Sequence, residues 1–251
     1  MERDLSGKIA VVTGAARGIG RAIAEGLAND GADIVSLDLG DSTETIEAVE
    51  KIGVRGLGVV ADVSSAESVA DAAARVEDEW GPAHIIVNNA GLHPFQRSLD
   101  EIDHDLWRKT MEVNLDSVFL MARSFAPQLR RNGWGRIVNM SSSVVNVAPP
   151  GGVHYIASKA AILGLTRGLA RELGGDGITV NALAPSIVET EGLGEMHMSQ
   201  EMIDGVLDQQ IIKTFTQPSD LIGLVSYLCS DEARLFTGQH FHIDGGIVLA
   251  D

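Results

Sequence analysis

Seven short runs rich in valine and isoleucine recur along the chain, and most are apolar almost throughout: "KIAVVT" (8–13), "DIVSLD" (33–38), "GLGVVA" (56–61), "HIIVN" (84–88), "RIVNMS" (136–141), "ITVNALA" (178–184) and "HFHID" (240–244). A strand with one wet face alternates apolar and polar residues, whereas a strand apolar along its length is covered on both faces. Helical patterns fall between the runs, near 18–30, 42–52, 66–80, 102–131, 155–174 and 218–230. Parallel neighbours need a crossover of this kind, so the alternation predicts α/β architecture. The expected fold is a doubly wound, parallel, seven-stranded sheet with helices on both faces and a ligand at the carboxyl ends of its strands. No Pro/Ser-rich linker or low-complexity tract interrupts the 251 residues, so 1–251 is read as a single domain.

One segment breaks the rhythm. Residues 186–216, "SIVETEGLGEMHMSQEMIDGVLDQQIIKTFT", separate the sixth strand from the next helix. Met202, Ile203, Val206, Leu207 and Ile211 have helical spacing, and Gly192 and Gly194 before them permit hinge motion. The segment is read as a substrate-binding lid, with an ordinary packed helix as the alternative.

The first strand runs into "TGAARGIG" (13–20), and a helix pattern follows at once. Glycines there let the backbone turn tightly and approach a pyrophosphate lying at the positive end of the helix. The strand before and the helix after supply the context this motif requires. Asp38 ends the second strand, 24 residues beyond Gly14. A carboxylate there can accept both hydroxyls of an adenosine ribose and repels a 2′-phosphate, which favours NAD over NADP. Arg17, a cation in the glycine loop, argues the other way. In "ADVS" (61–64), Asp62 could bond the adenine amino group and Val63 could pack near its ring; in "NNAG" (88–91), Gly91 permits close backbone approach.

Nineteen basic residues against thirty-five acidic ones leave a net charge of −16. So acidic a chain repels phosphate backbones and anionic lipid, so neither nucleic acid nor membrane is an expected partner. Cys229 is the sole cysteine, which excludes an intrachain disulfide, and it sits in an apolar helical run. The N-terminus lacks the pattern of a signal peptide, and no apolar run reaches the roughly 20 residues of a membrane span. A soluble, cytoplasmic protein is expected.

The stretch "HYIASKAA" (154–161) places Tyr155 and Lys159 one helical turn apart on one face. A cation fixed beside a phenol favours phenolate and lowers its pKa, as a general acid–base near neutral pH needs. A surface helix with a packed tyrosine and a solvated lysine has the same spacing, so the pair alone decides nothing.

Taken together, "TGAARGIG", "NNAG", Asn114 in "VNLDS", the serine in "MSSS", "YIASK" and "TGQHFHIDGG" resemble the short-chain dehydrogenase/reductase family over essentially the whole chain. The resemblance implies a Rossmann-type fold and a catalytic set of Asn114, Ser142, Tyr155 and Lys159. Ser142 takes the serine role by register, thirteen residues before Tyr155, with Ser141 and Ser143 as the other claimants. It implies that Tyr155 exchanges a proton with the substrate oxygen, that Ser142 steers that oxygen, and that Lys159 bonds the nicotinamide ribose and, with the positive ring of oxidised cofactor, lowers the tyrosine pKa. Asn114 would hold a water linking Lys159 to solvent. The cofactor-contacting set it implies is Gly14, Arg17, Gly18, Ile19, Gly20, Asp38, Asp62, Val63, Asn89, Ala90, Gly91, Tyr155, Lys159, Pro185, Val188 and Thr190. One departure stands out. The chain reads "APSIVET", with Ser186 where the family usually has glycine, which adds bulk near the nicotinamide.

For the substrate pocket the candidates are His93, Val144, Val145 and Gly152, with Met196, Met198 and Met202 from the lid. These are mostly apolar or soft, and no Arg or Lys cluster among them would grip an anion. A neutral, mainly apolar secondary alcohol or ketone is therefore expected as substrate, in an NAD-dependent dehydrogenase. An NADPH-dependent 3-ketoacyl thioester reductase is the alternative, and a non-catalytic dinucleotide-binding regulator a third. His240 and His242 share a face of the last strand but have no third ligand nearby, so no metal is expected. The apolar C-terminal "GGIVLAD" resembles tails that pack between subunits in the family, implying a homotetramer, with a dimer second.

Overall fold

The computed structural model describes residues 3–94, 97–191 and 200–249, the Met202 side chain apart. Its strands are β1 (Ile9–Thr13), β2 (Asp33–Asp38), β3 (Gly56–Val60), β4 (Ile85–Asn88), β5 (Gly135–Met140), β6 (Ile178–Pro185) and β7 (His240–Ile243). They form one seven-stranded sheet in the order β3-β2-β1-β4-β5-β6-β7, with every neighbouring pair parallel. The chain reverses direction across the sheet between β1 and β4, which opens a crevice at their carboxyl ends.

β1, β2, β4, β5 and β6 are buried almost throughout, as two-sided cover requires, whereas the edge strands β3 and β7 are only partly covered. One layer packs α1 (Gly18–Asn29), α2 (Thr43–Ile52) and α9 (Pro218–Cys229) on the sheet through Ile23, Leu27, Val49, Leu221, Val225 and Leu228. The opposite layer packs α3 (Ala66–Trp80), α5 (Ser117–Asn132) and α7 (Val153–Leu173) through Val69, Val76, Met121, Phe125, Leu129 and Leu173. Such side chains each contribute up to about 1.5–3 kcal/mol when fully buried. Cys229 is buried as its apolar run implies, and burial pushes its thiol up to about 12.

The expected single helix over 102–131 is corrected. It begins as α4 (His104–Met111), passes through a π-helical turn at Glu112–Asp116, and resumes as α5. The π turn inserts an extra residue in the ladder, and Asn114 sits inside it. A short α6 (Val144–Val147) follows β5, too brief to carry a periodic signal.

Within 186–216, Ile203, Val206 and Leu207 fall in α8 (Gln200–Gln209), whereas Ile211 lies beyond its end and is exposed. The two ends of the segment are pinned together. Val188 and Thr216 form a β-bridge, the Glu189 N–H donates to the Thr216 carbonyl at 2.9 Å, and Gln217 Nε2 donates to Glu189 Oε2 at 2.6 Å. Gly192, Gly194, Met196 and Met198 lie outside the described residues. No helix among the described residues is long and apolar enough to cross a membrane.

Candidate active site

At the crevice, the end of β1 and the end of β4 are bonded to each other. Thr13 Oγ1 accepts the N–H groups of Asn89 and Ala90, both at 3.0 Å. In return Asn89 Nδ2 donates to the carbonyls of Thr13 and Gly14 at 3.0 and 3.1 Å. The glycines are needed for this closeness. Gly14 has φ +65°, and a Cβ there would meet Ala90 Cα at 2.9 Å; a Cβ on Gly20 would run into the Gly14 carbonyl. Gly18 (φ +58°) faces the Thr190 side chain, 3.6 Å from where its Cβ would lie. Arg17 is the exposed N-cap of α1 and Ile19 is half-buried in its first turn. The result is an α1 N-terminus bordered by bare backbone, the kind of cradle that accepts a pyrophosphate.

Asp38 reaches into the same loop. Its Oδ2 accepts the Ala16 N–H and its Oδ1 the Gly40 N–H, each at 2.9 Å. The carboxylate thus braces the glycine loop while standing half-buried at the strand end. Asp62 Oδ1 accepts from the Ser64 N–H and hydroxyl at 2.8 and 2.6 Å, which holds its carboxyl below the usual range. Val63 beside it is buried. Pro185 closes β6, Val188 lies in the pinned bridge, and the Ser186 N–H donates to the Ile243 carbonyl at 3.1 Å. These groups sit at the ends of five strands around one crevice, and bare backbone, a carboxylate at the end of β2 and a buried valine fit a dinucleotide.

Across the crevice, Tyr155 and Lys159 are both buried on α7, with the Lys159 Nζ 5.7 Å from the tyrosine ring centre. Tyr155 is hydrogen-bonded to Ser142. Ser141 is otherwise engaged, its hydroxyl donating to the Lys159 carbonyl at 3.1 Å, while the Ser143 N–H donates to the Pro185 carbonyl. That separates the three serines and leaves Ser142 as the one on the phenol.

In the cofactor-free chain, burial sets the electrostatics of the pair. Lys159 Nζ donates to the Met140 carbonyl at 2.7 Å, and burial pulls its pKa down to about 8. Burial also pushes the Tyr155 phenol well above its ordinary value, and only the Ser142 hydrogen bond opposes that. Without cofactor, desolvation thus holds the tyrosine protonated.

Asn114 is held through its side chain. Its Oδ1 accepts the Leu92 N–H at 2.7 Å, and its Nδ2 donates to the Leu92 carbonyl at 3.0 Å and Ser158 Oγ at 3.1 Å. Ser158 Oγ passes the contact on to the Tyr155 carbonyl at 2.7 Å. Gly91 is wedged between, since a Cβ there would lie 3.3 Å from Asn114 Oδ1 and 3.5 Å from Lys159 Nζ.

Of the pocket candidates, His93 lies against Tyr155, ring centres 5.2 Å apart. Val144 and Val145 stand half-buried in α6, and both of their N–H groups point at Ser142, to its Oγ at 3.4 Å and its carbonyl at 3.3 Å. Gly152 is the buried N-cap of α7. Met196 and Met198 are outside the described residues, as is the Met202 side chain. His240 and His242 pack edge to face at 4.4 Å, and burial pushes His240 down to about 4. Among the described residues no three ligating side chains gather into a metal site.

Three contributors were not anticipated: Thr13, Ser158 and the Met140 carbonyl. Thr13 had a visible cue, a hydroxyl at the strand end just before the glycines. The other two become partners only when β5 and the π turn meet α7.

A family model described as enoyl-(acyl carrier protein) reductase matches residues 14–248. A 3-oxoacyl-[acyl-carrier-protein] reductase of Staphylococcus epidermidis is 35% identical over 245 residues, covering 96% of this chain and 99% of that one. Its counterpart in Haemophilus influenzae is 34% identical over 247 residues, covering 98% and 100%. A candidate short-chain alcohol dehydrogenase of Sinorhizobium meliloti superimposes with a TM-score of 0.93 at 34% identity, over 97% of each chain. A candidate NAD(P)-dependent gluconate 5-dehydrogenase of Beutenbergia cavernae, with NADP at low occupancy, gives 0.92 at 34% identity over 98% and 99%. Sheet order, glycine cradle and full-length likeness agree: the chain belongs to the short-chain dehydrogenase/reductase family of oxidoreductases.

Proposed function

We propose that this oxidoreductase interconverts a ketone and a secondary alcohol, and that 3-oxoacyl thioesters are its first substrate class. The observation that carries the chemistry is the buried Tyr155 phenol bonded to Ser142, with Lys159 one turn further along α7. The thioester class is supported by the names of the curated relatives, which weigh against the free secondary alcohol expected from the sequence.

The bound nicotinamide dinucleotide would supply or take the hydride, and the glycine loop, Asp38, Asp62, Val63, Asn89, Ala90, Gly91, Pro185, Val188 and Thr190 would hold it. In reduction, Ser142 donates a hydrogen bond to the substrate carbonyl oxygen, and Tyr155 gives that oxygen its proton. A phenol kept protonated by burial is set for that direction. Lys159, with a pKa near 8, can return a proton towards the phenolate left behind. Oxidation runs the same proton backwards and needs the phenol ionised first, so its rate rises with pH while reduction falls.

A second reading is an NAD-linked dehydrogenase of a neutral, mainly apolar alcohol, and Asp38 favours it. Its carboxylate, braced by the N–H groups of Ala16 and Gly40, would repel a 2′-phosphate brought to the end of β2. On this ground we take NAD(H) as the preferred cofactor, with 186–216 as the lid of a single-domain, cytoplasmic homotetramer that binds neither nucleic acid nor membrane.

One experiment separates the readings: steady-state rates with NADH and with NADPH, on acetoacetyl-CoA and on acetophenone, for wild type, Asp38→Ala and Tyr155→Phe. The thioester reading expects kcat/KM at least tenfold higher on acetoacetyl-CoA, and acetophenone preference replaces it by the second. NADH preference erased by Asp38→Ala supports the ribose argument, and NADPH preference in wild type refutes it. Tyr155→Phe should lower kcat by about 10²–10⁴ with cofactor binding kept. An undiminished rate removes the tyrosine from the chemistry, and no rate in wild type leaves the dinucleotide-binding regulator.

A further inference from the structure

We infer that His93 is a specificity-determining residue, whose imidazole hydrogen-bonds a second substrate oxygen placed 1,3 to the oxygen held by Ser142 and Tyr155. The inference rests on the ketone–alcohol reading above and adds to it a feature the substrate must carry.

Its geometry is unusual for a loop histidine. The ring lies 5.2 Å from the Tyr155 ring and is tilted by 41° to it, so it borders the phenol rather than stacking flat on it. The imidazole lies against Tyr155 and feels the Lys159 charge, while the residue as a whole remains exposed. Burial and that charge push it down to about 4, so at neutral pH it carries one N–H donor and one acceptor nitrogen. A neutral ring so placed suits an uncharged carbonyl or hydroxyl oxygen. A carboxylate would gain no cation from it, and Lys159 is already held by the Met140 carbonyl.

The backbone is anchored on both sides of His93. Leu92, its chain neighbour, is clamped by Asn114 through both its N–H and its carbonyl. Further along, the Arg97 N–H donates to the Gly151 carbonyl at 3.1 Å, just ahead of α7. A side chain that merely fills space has no need of a backbone clamp on one side and an anchor on the other. A hydrogen-bonding group that selects a substrate does, because the bond depends on its position. Asn114 is then a positioning residue for His93 as well as a part of the π turn.

The test uses two neutral probes of equal chain length, ethyl 3-oxobutanoate and 2-heptanone, which differ in the second carbonyl. The readout is the ratio of their kcat/KM values, in wild type, His93→Phe, His93→Leu and His93→Gln. The expected result is a fall of about tenfold or more in the ester-to-ketone ratio for Phe and Leu, carried mainly by KM on the ester, as loss of one good hydrogen bond to a buried group implies. Gln, which keeps an N–H donor, should restore most of the ratio. A ratio unmoved in the folded variants, or equal losses on both probes, overturns the assignment and leaves His93 as packing against Tyr155. Should Phe fail to fold, Leu and Gln give the same reading. A wild type that reduces 2-heptanone with a ratio independent of residue 93 sinks this inference alone; a wild type inactive on both probes with either cofactor sinks the ketone reading beneath it.

Discussion

Lys159 shows how a single side chain can be worth keeping although it weakens the fold. Burial lowers its pKa to about 8 from an ordinary 10.5, so the native state releases its proton first as pH rises. Between those values the unfolded chain binds more protons, and stability climbs with pH; below pH 8 both states are charged and the full desolvation cost stands. Lys159→Met in the cofactor-free protein should therefore raise stability at pH 7 by on the order of 1–3 kcal/mol, less what the Met140 bond contributed. The gain should shrink towards pH 10.5, and turnover should be lost. Thermal melts at pH 7 and pH 10 check this, and a variant less stable than wild type at pH 7 refutes it. The Tyr155–Lys159 pair was legible as a spacing. Its electrostatics were not, because the competing terms, the Met140 carbonyl and the depth of burial, belong to β5 and to the packed whole.

Elements divide in the same way between what local pattern encodes and what contact creates. All seven strands and the glycine turn after β1 could be read along the chain, since two-sided burial and tight turns write themselves into adjacent residues. The π turn at Glu112–Asp116 could not, because apolar spacing continues smoothly through it and only Asn114 hinted at it. Arg136 is a similar case. It sits inside β5 at 2% exposure, yet it is satisfied by the Ser230 and Gly135 carbonyls, by Asp231 and by the face of Trp134. For the glycine turn the prediction is direct. Gly20→Ala forces a methyl against the Gly14 carbonyl and lies 2.6 Å from Asn89 Nδ2. It should cost roughly 1–3 kcal/mol of stability and weaken dinucleotide binding at least tenfold. A titration indistinguishable from wild type would mean that the loop can shift, and the cradle would lose its basis.

At the scale of the molecule, the two apolar layers leave one side of the sheet ending at β7, a short strand whose residues are all half-buried. Phe236 lies 6.2 Å from Phe241 of that strand, and Leu235 beside it is 81% exposed; Ile211, Ile212 and Leu249 are exposed as well. Isolated exposed apolar side chains are ordinary, but these accompany an unpaired edge and the apolar tail. With the proposed homotetramer, Leu235→Glu should lower the mass seen by light scattering towards dimer or monomer and leave the protomer's circular dichroism intact. A tetramer that survives the charge, or a wild-type monomer, rejects that face. The net charge of −16 adds a condition, since any such assembly must tighten as salt rises.

The pinned base of 186–216 has a consequence for how this chain could diversify. With Val188 and Glu189 fastened to Thr216 and Gln217, the residues bordering the glycine loop stay put whatever length of chain joins the two feet. Closing a longer loop costs only about 0.6 kcal/mol per doubling. Descendants of one ancestral gene could therefore gain, lose or exchange residues between the feet and inherit an untouched dinucleotide cradle.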